Sequence, residues 1–175
     1  MNRKQTLIFM GSIFVVLSLP LLIYSKKLNI FNPQMKPSAG QWGSPVHRIG
    51  EKPQEPWTAT TKEAAVNKKP LEGKITTRTG ELIDVSCYLQ LGKHGKEHEA
   101  CAKGCLLNGQ PLGLLDEEGT VYILIPEEHD PRRDGKTVLK EALIEHVAQI
   151  VEVTGTLTNV KGLKTIYVQG FVKKE

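Results

Sequence analysis

Apolar residues run uninterrupted by charge for 21 positions between Lys4 and Lys26, centred on LIFMGSIFVVLSLPLLIY. A helix rising about 1.5 Å per residue carries such a run across roughly 30 Å, the hydrocarbon thickness of a bilayer. Residues 6–25 are therefore expected to be a transmembrane anchor behind a short cytoplasmic tail, residues 1–5, with Pro20 as a kink that membrane helices tolerate. A cleaved signal peptide is the alternative. No small-residue cleavage site follows the run, however, where Ser25, Lys26, Lys27 and Leu28 stand instead. Arg3 and Lys4 favour an inside N-terminus against the opposing pull of Lys26 and Lys27. That balance places residues 26–175 on the extracytoplasmic side of a bacterial inner membrane, in a single-pass protein.

The pattern then dissolves. Residues 32–70 hold six of the chain's ten prolines, Pro33, Pro37, Pro45, Pro53, Pro56 and Pro70. Proline at that density disfavours helix and central strand, so residues 26–70 are expected to form an extended tether. Both tryptophans, Trp42 and Trp57, fall within it. They are either anchors for a partner or side chains that fold back on the protein's own domain.

From Leu71 the alternation becomes that of strands. LEGKITTRTGELIDVSCYL carries β-branched residues in period two, with Thr79-Gly80 as a turn-like interruption. PLGLLDEEGTVYILI and AQIVEVTGTLTNVKGLKTIYVQGFV each split around a Gly-ended turn, at 116–119 and 159–162, and predict two hairpins. Between them GKTVLKEALIEHV sets Val138, Leu139, Ala142, Leu143 and Val147 at helical spacing. Long strand, insertion, hairpin, helix, hairpin is the order of the OB-fold, a five-stranded, partly open barrel. The expected class is mainly β, an OB-fold-like barrel over residues 71–175. Gly73 and Gly155 supply kinks, and Ile75, Val85, Leu124, Val151, Val153, Ile166 and Val168 point inward.

Composition narrows the functions. Lys and Arg outnumber Asp and Glu by 23 to 19, and Arg3 and Lys4 account for two of the excess, leaving +2 over residues 26–175. That is no footprint for nucleic acid, and none is expected as a partner. Three cysteines in the chain allow at most one intramolecular bridge.

The insertion DVSCYLQLGKHGKEHEACAKGCLLNGQPLG holds all three cysteines, Cys87, Cys101 and Cys105, together with His94 and His98. On a helix over 97–107, His98, Cys101 and Cys105 fall within an arc of about 60°. His94 sits on the entering loop beside Gly95, and Cys87 arrives from the end of the strand. Three readings stay open. Cys87, Cys101 and Cys105 with His94 or His98 suit tetrahedral Zn²⁺ or thiophilic Cu(I). A disulfide among the cysteines suits the oxidising side of a membrane. The third reading is small buried residues without chemistry. His47, His129 and His146 are weaker candidates. Glu127, Glu128, Asp130 and Asp134 read as a solvated loop because Arg132 and Arg133 lie among them and the EF-hand order is absent.

The Cys101/Cys105 spacing resembles the copper-binding pair of the Sco-type assembly factors and of the dinuclear copper centre in cytochrome oxidase subunit II. Leu106 stands where the Sco pattern has proline, and no methionine lies in the segment to complete a dinuclear site. Leu106 also excludes covalent c-type haem, which needs His after the second Cys. The run D-V-x-C-Y-L…H-x-x-C-A-x-x-C…G-x-P-x-G-L-L, from Asp84 to Leu115, resembles a pattern in uncharacterised exported bacterial proteins with OB-like barrels. The similarity extends through Val172. It implies an exported barrel and supplies no activity.

No paired acid and base, Ser-His-Asp set or phosphate loop is evident, so an enzyme is not the expectation. The chain reads as a non-catalytic accessory or interaction module, contacting a protein partner through tether or barrel. The alternative is a copper-, zinc- or thiol-handling protein that serves assembly of a membrane redox complex. Membrane fractionation tests the anchor, with the intact chain expected in the pellet. A periplasm-active reporter fused after Glu175 is expected to work, and one active only in the cytoplasm is expected to be silent.

Overall fold

A computed structural model describes residues 35–127, 138–169 and 172–173. The anchor run lies outside the described residues, as do Glu128, His129, Asp130 and Asp134. No helix among the described residues is long and apolar enough to cross a membrane. Residues 35–175 form one unit.

Its strands are Arg48–Ile49 (β1), Lys74–Asp84 (β2), Leu112–Leu115 (β3), Val121–Pro126 (β4), Ile150–Val160 (β5), Leu163–Val168 (β6) and Val172–Lys173 (β7). Its α-helices are Ala59–Ala64 (α1), Val85–Leu91 (α2), Glu99–Leu107 (α3) and Val138–Glu145 (α4). β2 pairs antiparallel with β3, and β3 with β4. β4 runs parallel to β6, β6 antiparallel to β5, and β5 returns antiparallel to β2. Five strands thus close into a barrel in the OB-like order, with α4 between the third and fourth of them and with β1 added outside the ring.

Thr79-Gly80 is not a turn. β2 passes straight through it, because Gly80 is where the strand leaves one partner for the other: Lys74–Glu81 face β5, and Glu81–Asp84 face β3. A Cβ on Gly80 would stand 2.6 Å from Leu114 Cγ and 2.8 Å from the Leu115 oxygen, so only glycine allows the crowding at that corner. Gly155 does the same on β5, where a Cβ would stand 2.3 Å from the Tyr167 oxygen.

The barrel's interior holds Leu82, Leu114, Leu124, Val151, Val153 and Ile166, all buried, with Leu143 and Val147 packed into the same cluster. Val168 belongs to the same cluster; Val85, expected to point into the barrel, is buried but opens α2 and lies outside that cluster. Ile75 is only half-buried. It lies on the part of β2 that extends past β3 and has a neighbour on one side alone.

The proline-rich segment departs most from its expected form. From Met35 on it lies against the barrel. Ser38 N–H donates to the Ala148 oxygen at 2.7 Å, Ile150 N–H to Ala39 at 2.9 Å, and Val46 N–H to Ile150 at 3.0 Å. β1 then pairs parallel with Glu152–Val153 of β5 on the edge that β6 leaves free, and antiparallel with β7. Ile49 is buried to 1% exposure. Prolines kept this segment extended, and its few apolar side chains fixed it to an open edge. α1 is a second departure, a helix held between Pro56 and Pro70 by its Thr58 N-cap. Trp57 packs on the domain itself, its Nε1–H donating to the Leu71 oxygen at 2.8 Å and its ring edge-on to Tyr167. Glu127, expected in a solvated loop, is buried. One carboxylate oxygen accepts from Thr58 N–H at 3.1 Å and from the Thr58 and Thr61 hydroxyls, and the other from Gln169. Loop composition could not show that the carboxylate had donors 66–69 residues away.

His47 and His146 stack where this strap meets the end of α4, ring centroids 4.0 Å apart. Burial, and then the neighbouring His47, lower the His146 pKa below 6.5. A hydrogen bond from His146 Nδ1–H to the Gln149 amide oxygen, and then Glu145, act the other way, and Lys103 adds to the lowering. An unfolded chain therefore takes the proton at a pH where the folded one does not. Thermal stability is expected to be full above pH 6.5 and to fall as the pH drops below it toward the lowered value. His146→Gln is expected to flatten that slope between pH 7.5 and 5.5 in thermal melts.

Candidate metal centre

The last residue of β2 organises the centre. Asp84 pairs with Leu112 in the sheet and is only 1% exposed. It is also the N-cap of α2, its Oδ1 accepting from Ser86 N–H at 2.9 Å and from Cys87 N–H at 3.4 Å. The cap fixes the carboxylate and commits one oxygen. The other, Oδ2, is buried and has no hydrogen-bond partner.

Cys87 therefore stands in the first turn of α2, three residues after Asp84, and not on the strand's end. The helix stops at Gly92, in the left-handed conformation, and the chain turns back. A second buried carboxylate catches it: Glu81, 1% exposed, accepts from Gly95 N–H at 2.7 Å and faces His94 Nδ1 at 2.8 Å. Lys96 N–H donates to the Lys36 oxygen at 2.7 Å, which ties the loop to the strap as well. A 3₁₀ turn, Lys96–His98, then delivers His98 ahead of α3. The expected single helix over 97–107 is this turn followed by α3.

His98 is 6% exposed, and its Nε2 is buried without a partner. Ligand atoms of Asp84, Cys87 and His98 all lie within 4.8 Å of one another. Cys105, half-buried on α3, is close enough to Asp84, Cys87 and Cys101 to interact with them electrostatically, and lies outside the converging group. Cys101 is exposed. All three cysteines are free thiols. The Asp84 carboxylate beside it, together with burial, pushes the Cys87 thiol up to about 12. Burial, then Asp84, also raises Cys105.

Among the expected ligands, the structure brings Cys87 and His98 together and leaves Cys105 beside them. It places Cys101 at the rim. His94 is engaged by Glu81 and lies edge-on to Tyr88, outside the converging group. Asp84 joins the group and was not foreseen. Its signal was present in the spacing D-x-x-C, an N-cap residue whose free oxygen turns toward the residue it caps.

Two buried polar atoms without partners, facing a cysteine, are an arrangement that folding alone does not favour, since each costs roughly 1–3 kcal/mol. An ion removes that cost. Oxygen, nitrogen and sulfur donors this close together could hold one metal ion. No family model, curated protein or solved structure matches this chain. In protein stripped of metal by a chelator, alkylation at pH 8 is expected to modify Cys101 first and Cys87 last. The thiolate is the reacting form, and a thiol near 12 offers only about 10⁻⁴ of it at that pH. Peptide mass mapping over time reads the order.

Proposed function

We propose that the chain is a zinc-binding accessory module, an OB-like domain held on the extracytoplasmic face of a bacterial inner membrane by residues 6–25. Binding, and not turnover, is its chemistry. One observation carries the reading: the buried, unpartnered Asp84 Oδ2 and His98 Nε2 converge with Cys87. Cys105, beside that group and outside its 4.8 Å span, is the fourth ligand of this reading once its thiolate turns in, and a filled shell leaves no open position for substrate. Copper is the weaker choice because Cu(I) prefers a set without carboxylate oxygen. The uncharged run between Lys4 and Lys26 supports the anchor.

The full chain in detergent is expected to bind one Zn²⁺. Co²⁺ in its place is expected to give a thiolate-to-metal charge-transfer band and the intense visible bands of tetrahedral cobalt. Asp84→Asn, Cys87→Ser and His98→Ala are each expected to weaken zinc about 100-fold or more in chelator competition. Variants that bind as the wild type does would remove these residues from the site.

A further inference from the structure

We propose that Cys101 is the entry thiol of this centre: it passes Zn²⁺ in and out by ligand exchange and is not one of the resting ligands. The inference rests on the zinc reading above and concerns how that site exchanges its ion. Three observations carry it.

The first is a gradient of exposure along one chemistry. Cys101 is exposed, Cys105 is half-buried, and Asp84 and His98 are buried at 1% and 6% exposure. The second is proximity. Cys105 feels the charge of Cys101 and of Asp84, and Cys87 that of Asp84 and Cys105. Three thiols thus lead from solvent to the buried carboxylate.

The third is the geometry of the helix. Cys101 and Cys105 both belong to α3, one turn apart. Their Cβ atoms are then about 5–6 Å apart, wider than the roughly 3.5–4.5 Å a disulfide needs. A regular α3 keeps the pair reduced, yet two zinc–sulfur bonds of about 2.3 Å let the same pair share one ion. Gly104, between them in sequence, adds no bulk, and even a Cβ there would meet nothing within 4 Å. A donor or acceptor ligand has room to approach.

A closed four-ligand centre gives up its ion one bond at a time, each departing ligand replaced by an incoming one. Cys101 supplies the first replacement. Its thiol releases a proton to solvent as it takes the ion beside Cys105, and recovers one when the ion moves on. No electrons are transferred.

Because an entry group lowers the barrier and leaves the end states alone, it changes loading and unloading by the same factor. The test uses full-length chain in detergent, Zn²⁺ alone as the metal, and the chromophoric chelator 4-(2-pyridylazo)resorcinol as donor and acceptor in stopped flow. Cys101→Ser is expected to slow both directions at least about tenfold while Kd stays within about threefold. Alkylating Cys101 in zinc-loaded wild type is expected to reproduce the slowing without any substitution. Unchanged rates would overturn the inference, as would a Kd weakened to the level of Cys87→Ser. Either leaves the zinc site standing, whereas a wild type without saturable zinc binding overturns both.

Discussion

Two carboxylates buried within four residues of one strand set the terms for this domain. Glu81 and Asp84 close β2, where Gly80–Asp84 are all buried. A carboxylate at 1% exposure is strongly unfavourable unless donors or cations surround it. Barrel pairing cannot supply them, since the sheet uses only main-chain groups. The insertion between β2 and β3 does so. Its α2 is capped by one carboxylate, and its turn is caught by the other through Gly95 and His94. The position of His98 follows from those two attachments. The centre is thus a by-product of how the strand's buried charges are satisfied, with Asp84 only half compensated by protein.

The barrel was legible because its signals are local. Period-two alternation, Gly-ended turns and one amphipathic helix each sit within a short window, and their order alone picks the topology. Thr79-Gly80 misled for the same reason. A Gly beside a β-branched residue looks like a turn locally, whereas here it marks a change of partner that only the closed ring reveals. The strap of residues 35–50 was illegible because composition reports backbone preference and not where an extended segment docks. Ile49 and Val46 are too few to show a pattern, and their destination is about a hundred residues away on β5.

Within the site, the cysteines and His98 were visible as residue types, but helical spacing grouped His98 with Cys101 and Cys105, whereas the structure sets it against Cys87 of α2 and leaves Cys101 exposed. Asp84 escaped because aspartate before a helix has an ample explanation as a cap. The cap uses one oxygen, so the second function shows only in the burial of the other. His94 stands apart for the converse reason. It was visible as a residue type, and Gly95 lets the loop turn its imidazole toward Glu81.

The parallel pairing of β1 with β5 has a mechanical side. Tension transmitted along the backbone from residues before Met35 meets the Lys36–Lys96 hydrogen bond of the insertion first, then Ser38, Ala39 and Val46, then β1. A pull directed along the strand axis loads these bonds together, in shear, and does not open them in succession like a zipper. The strap therefore shares the load. A tug on the N-terminal side would be felt first at Lys96, in the turn that holds His98, and would be resisted behind it at β5.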